Sequence, residues 1–424
     1  MAFGPLTIFD KSFLQSLNPD EAFWFDNFFR TIITPLFFVE TLADLEKQVA
    51  QGKTPEQVVG EIAYKTPEMN CVPNVHHFNL LMSNLLGYPV ETKRRPIIAG
   101  GIPKVSEKGY GLFFKEFPEL EALSRWQDDK FIETEREFAK EWRIALENPG
   151  FESTISMVGN IVPKGQRFSD IKAIKEFVDT YLSSTISDHF LLLFELFQVP
   201  QNARPQIVQR WESSGKPSLK EFAPFAYHVF SVDVFFYLSL AHGHIAKERA
   251  SNKVDIAYLY YLPFSHILVS NDRLHIRTVP LFLEKDQQFI EGSKIKPDLH
   301  ALNAYYETLP EEVKQEGAIR FASYPPQKMA TLIHTLWDQY LPIWRKHDDE
   351  DRKKPLQPLK TESKFMERLN AVETGPVYTG TNPISSDDAE YVTISRKVHP
   401  RKGQWRTVPK EVEEKAREDD KNKT

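Results

Sequence analysis

Acidic residues stand at five points of this sequence where an apolar strand ends or a helix begins: Asp10, Glu40, Asp44, Asp255 and Asp272. Asp10 closes the run PLTIFD and Asp272 follows the run HILVS, and both runs are typical of buried strands. Glu40 and Asp44 lie one helical turn apart after PLFFV, while Asp255 opens the apolar segment IAYLYYL. Loops at the carboxyl ends of strands gather ligands in an open α/β sheet. One edge of such a sheet could therefore collect four of these carboxylates, with Glu40 and Asp44 as alternatives.

Carboxylates collected in this way require a cation. Two of them about 4 Å apart repel each other by roughly 4 kcal/mol at an effective dielectric constant near 20. A group of three or four would be destabilising, or would bind protons, without a divalent ion. Oxygen ligands suit Mg²⁺ or Mn²⁺, and such ions activate water and stabilise an in-line attack on phosphate. The acids therefore predict a metal centre for phosphodiester hydrolysis.

Each acid also has a purely structural interpretation. Asp255 can cap the helix that follows it, Asp272 can be a turn residue, and Asp10 can simply end a strand. Asp233 lies inside the apolar helical segment SVDVFFYL, where a buried carboxylate needs a partner. Asp233 is either a further ligand or a supporting group of the metal site, or it pairs with His228 or another neighbour on its helix.

The composition is that of a folded intracellular protein. The chain has 424 residues, of which 41% are hydrophobic and 31 are Phe, so it can form a large core. The net charge of -6 gives no general attraction to nucleic acid, so a polyanion site requires a local basic patch. The single cysteine, Cys71, allows neither an internal disulfide nor a cysteine-rich zinc site. The N-terminus lacks signal-peptide features, and the most apolar run, 189–199, is too short to span a bilayer. We therefore expect a cytoplasmic protein with no membrane segment.

Strand signals flank a long stretch of helical signals. Residues 31–50 predict a strand that passes into a helix near Val39–Thr41. Residues from about 52 to 250 read mainly as helices, with a Gly- and Pro-rich loop or hairpin at 93–111. From residue 348 onward the aliphatic content falls and charge alternates, which is typical of disorder.

The order of these segments resembles that of the PIN-domain nucleases. In that family an acid follows the first strand, and a second lies in a Thr-Leu-Ala-Glu-Leu-like helix start. A third acid begins a helix, and a fourth follows a strand as Thr/Ser-x-Asp. Here the sequences IFD, TLADL, VDIAYLYYL and VSND occupy those places. The resemblance covers residues 5–50 and 225–285, and the long stretch between them implies a large helical insertion.

The resemblance implies four catalytic, metal-binding acids, namely Asp10, Asp44, Asp255 and Asp272. Glu40 is a near alternative to Asp44 as the second metal ligand. Ser270 would orient a ligand or a water molecule by hydrogen bond, and Asp233 could support the site from behind the ligands.

The activity implied by the resemblance is cleavage of RNA, usually single-stranded, by water activated on Mg²⁺ or Mn²⁺. Basic side chains flank the two late acids and could contact phosphates: Lys253, Arg273, His275 and Arg277. RNA, or another single-stranded nucleic acid, is the expected partner. A protein partner or a second copy of the chain is left open.

The predicted fold is α/β, with a small central parallel sheet of PIN-like type. The chain is expected to divide into a catalytic core at 1–50 and 225–290, a mainly helical insertion at 51–224, C-terminal helices at 291–347 and a disordered tail at 348–424.

Two other classes of function compete with the nuclease. One is a catalytically inactive PIN-like module that binds RNA or protein. The other is a mainly helical interaction protein with no acidic pocket. A serine hydrolase and a phosphate-loop enzyme have little support, because no Ser lies in a nucleophile elbow and AGG at 99–101 lacks the Gly-Lys-Ser/Thr ending.

Overall fold

A parallel β-sheet forms the centre of the protein. The computed structural model describes residues 4–98, 100–114, 117–147, 151–183, 188–249, 251–353, 360–380, 389–394 and 398–421. The strands are β1 Leu6–Phe9, β2 Arg30–Ile33, β3 Cys71–Pro73, β4 Ile102–Ser106, β5 Gly109–Phe114, β6 Ile267–Ser270, β7 Gln288–Glu291, β8 Tyr391–Ile394, β9 Arg401–Lys402 and β10 Trp405–Arg406. The central sheet has the order β3-β2-β1-β6-β7, and all of its pairings are parallel.

Helices surround this sheet on both faces. They are α1 Lys11–Ser16, α2 Pro19–Phe28, α3 Pro35–Ala43, α4 Leu45–Val49, α5 Pro55–Lys65, α6 His77–Leu86, α7 Pro118–Gln127, α8 Glu133–Glu147, α9 Phe151–Gly159, α10 Ile171–Ser183, α11 Asp188–Leu196, α12 Arg204–Ser213, α13 Leu219–Phe222, α14 Pro224–Ala241, α15 Asn252–Ala257, α16 Arg273–Thr278, α17 Gly292–Glu307, α18 Glu311–Gln315, α19 Ala318–Phe321, α20 Leu332–Tyr340, α21 Trp344–Lys353, α22 Lys360–Glu373 and α23 Lys410–Lys421. Two 3₁₀ helices, Tyr258–Phe264 and Val279–Leu281, flank β6 and α16.

Each face of the central sheet packs against its own hydrophobic core. Successive side chains of a strand point to opposite faces. Ile8 therefore joins the core that contains α14, while Phe9 joins the core that contains α2 and α20. Every residue of β1 is buried, as expected for the middle strand of a covered parallel sheet. The carboxyl end of β1 is thus held from both sides, and this fixes the residue that follows it.

Helix α14 is long and apolar enough to cross a membrane by length and composition alone. Its 18 residues have a mean hydropathy of 1.2, and 78% of the helix is buried inside the protein. It packs against α6, α9, α10 and α13, so it forms the centre of the helical region.

The predicted α/β class with a parallel sheet is confirmed. The strands predicted at 5–10 and 266–270 are also confirmed, as β1 and β6. The predicted strand-to-helix junction near Val39–Thr41 is wrong, because β2 ends at Ile33 and α3 begins at Pro35. Proline at the first helical position carries a backbone φ already suited to a helix, and it overrides the β-branched and aromatic signal around it.

The segment 51–224 contributes to the central sheet as well as to the helical region. Strand β3 lies in this segment and pairs with β2, with Val72 opposite Ile32. The prediction of a mainly helical insertion therefore needs a correction at its start, where β3 completes one edge of the sheet. The hairpin predicted at 93–111 is present as β4 and β5, which pair antiparallel from Ile102 to Phe113.

The described part of the segment 348–424 contains ordered elements, which corrects the prediction of a disordered tail. Strand β8 pairs with β5, and β9 and β10 form a hairpin. Trp405 is 2% exposed, its ring lies 4.8 Å from that of Trp24, and its Nε1 donates to Asn303 Oδ1 at 2.7 Å. One buried aromatic side chain thus anchors a segment that is poor in aliphatic residues. Residues 354–359, 381–388, 395–397 and 422–424 lie outside the described residues.

Candidate functional site

The carboxyl ends of β1 and β6 place Asp10 and Asp272 side by side. The two strands are neighbours, with Phe9 opposite Val269, and Asp10 N donates to Val269 O at 3.3 Å. Each acid also caps the helix that follows it. Asp10 Oδ1 accepts from Phe13 N at 2.9 Å, and Asp272 Oδ1 accepts from Leu274 N at 2.6 Å. The sequence suggested a capping role only for Asp255, whereas Asp10 and Asp272 are the caps in the structure. The caps fix both carboxylates at one edge of the sheet.

Ser270 links these two acids. Its Oγ donates to Asp10 Oδ2 at 2.7 Å and accepts from Asp272 N at 2.9 Å. Ser12 Oγ donates to the same Asp10 oxygen at 2.7 Å. Asp10 is 3% exposed, so these hydroxyl groups replace the water that its charge would otherwise bind. Ser270 therefore holds Asp10 and Asp272 in fixed positions, and its role toward a metal ligand or a water molecule stays a prediction.

His275 is an internal cation of this site. Its Nδ1 donates to Ser270 Oγ at 2.8 Å, because the proton of that hydroxyl points to Asp10, and its Nε2 donates to Asp255 O at 2.6 Å. Both ring nitrogens are therefore donors, which requires the imidazolium form. Burial lowers the pKa of His275, but Asp10, with Nδ1 3.6 Å from its Oδ2, outweighs burial and raises that pKa to about 9. In turn, burial raises the pKa of Asp10, and His275 and the two hydroxyls outweigh it, so the net pKa is lowered.

Glu40 and Asp255 bring two further carboxylates to the same place. Burial raises the pKa of Glu40 to about 8; Lys11 opposes the shift, and the negative charges of Asp10 and Asp255 add to it. Burial also raises the pKa of Asp255 to about 7. His275 opposes this shift, and the negative charges of Asp272 and Asp10 add to it. Hydrogen bonds connect the segments that carry these groups. Ser270 joins Asp10 to Asp272, and His275 joins Ser270 to the backbone of Asp255. Tyr258, one turn after Asp255, donates to Glu40. Asp10, Glu40, Asp255 and Asp272 thus form one group, which we call the acidic cluster.

Asp255 is not the helix cap that the sequence favoured as its structural interpretation. Helix α15 begins at Asn252 after Ser251, and Asp255 lies within its first turn. Tyr258, one turn further on, begins the 3₁₀ helix, and its hydroxyl donates to Glu40 Oε2 at 2.8 Å. The segment that carries Asp255 is thereby joined to α3.

Asp44 lies apart from the acidic cluster. Its Oδ2 pairs with Lys11 Nζ, and its side chain is 47% exposed. Lys11 is itself 2% exposed, and its Nζ also donates to Glu40 O at 3.1 Å. Of the two alternatives, Glu40 is the one that lies in the acidic cluster. Helix α3 ends at Ala43, so Asp44 lies at its C-terminal cap, whereas Glu40 lies within the helix and contacts Tyr258.

The carboxylates of the acidic cluster suit a hard divalent cation, although their oxygens do not converge on a common point in this structure. Among the described residues, no group of three or more His, Cys, Asp or Glu is arranged to hold a metal ion. The cluster offers only carboxylate oxygens, which Mg²⁺ and Mn²⁺ prefer. Glu40 and Asp255 are the members that binding would have to deprotonate and rotate, because Asp10 and Asp272 are fixed by their caps.

The predicted phosphate-binding residues occupy different environments. Arg273 and Arg277 are exposed, and Arg277 Nη2 donates to His244 O at 3.1 Å. His275 is completely buried, so it cannot contact a phosphate as predicted. Lys253 Nζ donates to Asp233 Oδ1 at 2.5 Å and to the Tyr260 hydroxyl at 2.8 Å.

Asp233 has a structural role in a separate cluster. It is 3% exposed and pairs with Lys253, while the Tyr260 hydroxyl also donates to it. His228 instead contacts Leu259 O through Nε2 at 2.8 Å. The need for a partner was predicted correctly, but the partner is neither His228 nor the acidic cluster. The Asp233–Lys253 pair joins α15 to α14, two residues before Asp255.

No protein-family model, curated protein or solved structure matches this chain. The functional assignment therefore depends on the acidic cluster itself. Sequence reasoning missed two of its contacts, Lys11 and Tyr258. Tyr258 follows Asp255 by one helical turn, so helical periodicity could have shown that both point the same way. Nothing in the sequence around Lys11 indicates that its ammonium group is buried.

Proposed function

We propose that the acidic cluster binds Mg²⁺ or Mn²⁺ and hydrolyses phosphodiester bonds, and that the substrate is single-stranded RNA. The observation that carries the proposal is the meeting of four carboxylates, the acidic cluster, where β1 and β6 end. Burial raises the pKa of Glu40 to about 8 and that of Asp255 to about 7, and neighbouring carboxylates add to both shifts. A divalent ion would replace those protons and remove the repulsion.

The placement of the acids also supports a PIN-like type of core, which we propose as the family resemblance of this domain. Asp10 directly follows β1, and Ser270 and Asp272 form the Ser-x-Asp at the end of β6. Asp255 lies in the first turn of a short helix, and Glu40 lies in the helix after β2. These are the four positions at which the PIN-domain pattern has its acids, with Glu40 in place of Asp44.

The side chains of the cluster divide the work of such a site. A bound divalent ion would supply an activated water and a Lewis acid for the phosphate. Asp10 stays ionised because His275 and Ser270 hold it, so it is the ligand that is ready at neutral pH. Tyr258 orients Glu40, and the Asp233–Lys253 pair holds the helix that carries Asp255. Arg273 and Arg277 remain exposed for contact with the RNA backbone.

Cleavage of labelled single-stranded RNA, together with Mn²⁺ titration calorimetry, tests this proposal. Asp255→Asn removes the charge but keeps the shape, so it should abolish cleavage and weaken Mn²⁺ binding while circular dichroism stays unchanged. Asp44→Asn is the matched control, because Asp44 lies outside the cluster, and it should retain cleavage and Mn²⁺ binding. Cleavage at the wild-type rate by Asp255→Asn would refute the assignment.

An inactive RNA-binding or protein-binding module is the second candidate. The observation that favours it is the pair of internal cations, Lys11 and His275, which already neutralise part of the negative charge. In that case the chain would bind single-stranded RNA without cleaving it, and Mn²⁺ would not change the affinity. An intracellular, cytoplasmic location belongs to either proposal.

A further inference from the structure

A lysine-lined pocket lies next to the acidic cluster. Its volume is about 200 Å³, and it is lined by Lys11, Gln15, Thr41, Gln48, Lys53, Val58, Glu61, Ile62 and Lys65. Lys11 directly follows Asp10, and Thr41 directly follows Glu40, so the wall of the pocket shares its backbone with two members of the cluster. Pockets for drug-sized ligands have volumes of roughly 300 to 1,000 Å³. This pocket therefore suits a smaller group.

The charge of the pocket is unbalanced. Three of its side chains carry ammonium groups, whereas Glu61 is the one carboxylate among the lining residues. Lys53 Nζ donates to Glu61 Oε2 at 2.6 Å, and both side chains are largely exposed. Lys65 Nζ donates to the backbone oxygen of Gln15 at 3.1 Å, a contact that brings no negative charge. Lys11 also pairs with Asp44, so Lys65 supplies the positive excess of the pocket.

The ammonium groups also keep donors to spare. Each ammonium has three N–H donors. Within the part of the chain that the structure describes, Lys11 uses two, on Glu40 O and Asp44, while Lys53 and Lys65 use one each. Lys11 is almost completely buried, so it can serve only a ligand that enters the pocket. A small tetrahedral anion with several acceptor oxygens matches this set of donors.

We propose that this pocket binds one phosphate group of the RNA strand that the acidic cluster cleaves. This inference rests on the proposed function for the source of the phosphate, whereas the pocket's affinity for phosphate stands by itself. A strand held here would place a neighbouring phosphodiester at Asp10 and Glu40, because Lys11 and Thr41 adjoin those two acids in the chain. The ammonium groups would position the strand, and they take no part in the proton transfers.

Inorganic phosphate, titrated by calorimetry in the presence of a chelator, tests the pocket without metal or RNA. Wild type should bind it saturably, and Lys53→Met/Lys65→Met should bind it at least tenfold more weakly. Lys130→Met/Lys172→Met removes the same charge from exposed positions and should bind like wild type. Glu61→Gln removes the competing carboxylate at an exposed site and should bind severalfold more tightly. Equal affinity of the wild type and the pocket variant, or no saturable binding, would overturn the proposal.

Kinetics with single-stranded RNA and Mn²⁺ separate the source of the phosphate from the proposed function. The pocket variant should raise KM more than it lowers kcat, and inorganic phosphate should inhibit wild type competitively. Phosphate binding without any RNA cleavage would support the pocket and reject both the RNA source and the nuclease. RNA cleavage with an unchanged KM in the pocket variant would reject the pocket and keep the nuclease.

Discussion

Replacing Glu40 with glutamine should stabilise the metal-free protein. In an unfolded chain Glu40 releases its proton near its ordinary pKa of 4.5, whereas in the folded protein it keeps the proton up to a pKa of about 8. Wild type therefore loses stability as pH rises between those values, because the folded state binds more protons than the unfolded state. Glu40→Gln keeps the shape and the Tyr258 contact but has no proton to lose.

The size of the effect follows from the two pKa values. One pH unit in pKa is worth about 1.4 kcal/mol, so a rise from 4.5 to about 8 sets an upper limit of about 5 kcal/mol. Glu40 is only partly buried, and solvent reduces this figure. We expect Glu40→Gln to be more stable than wild type by roughly 1 to 3 kcal/mol above pH 8, with a smaller gain at pH 6.

A divalent ion should remove the stability advantage of Glu40→Gln over wild type. An ion that binds only the folded state at 100 times its Kd adds about 2.7 kcal/mol of stability. Wild type would gain this amount in Mn²⁺, whereas Glu40→Gln, which lacks a ligand, would gain far less. The free energy of unfolding of wild type in Mn²⁺ would then equal or exceed that of Glu40→Gln at pH 8.5.

Urea unfolding at pH 6 and pH 8.5, with chelator or with Mn²⁺, measures all of these differences through tryptophan fluorescence. Glu107→Gln, at the exposed turn between β4 and β5, is the matched control and should behave like wild type throughout. Equal or lower stability of Glu40→Gln at pH 8.5 in chelator would refute the raised pKa of Glu40, and with it the buried setting of this carboxyl group that the site assignment assumes.

Three further substitutions test other parts of the structure. The pKa of His275 is raised from 6.5 to about 9, so the stability it contributes is complete below pH 6.5 and is lost as pH rises through 9. The melting temperature of His275→Asn should lack this dependence on pH. The same dependence in wild type and variant would count against a buried imidazolium. Asp233→Asn leaves Lys253 without a counter-charge and should lower the free energy of unfolding by about 3 kcal/mol. This value is the low end for a buried pair, because Lys253 is 26% exposed. Urea unfolding should show a much smaller loss of stability for Asp233→Leu/Lys253→Met, which removes both charges. Trp405→Ala should cost about 3 to 5 kcal/mol and expose the C-terminal hairpin to limited proteolysis; protease resistance equal to wild type would show that Trp405 is no anchor.

Local sequence patterns identify the strands of the site but not every ligand. Asp10 and Asp272 were found because short apolar runs precede them, and parallel strands bring their carboxyl ends to one edge. Glu40 and Asp44 could not be separated in this way. They lie one turn apart, and residues at that spacing share a helix face. What separates them is the end of α3 at Ala43, which leaves Asp44 at the C-terminal cap beside Lys11.

Contacts between distant segments explain the remaining errors. Trp405 packs against Trp24, and no local pattern near either residue predicts that contact. Low aliphatic content therefore suggested disorder for a segment that one aromatic ring holds in place. His275 lies between charged, exposed neighbours, and only the meeting of β1, β6 and α15 shows that it is buried.

Strand β6 lies between β1 and β7, although it comes late in the chain. During synthesis, a chain that has not yet reached Ile267 carries Asp10 and Glu40, but one side of β1 still lacks its neighbour. Such a nascent chain lacks Ser270 and Asp272, so the acidic cluster is incomplete until β6 has been synthesised. The same order leaves an unpaired strand edge exposed until β6 docks, and the ribosome-bound chain would depend on chaperones during that interval.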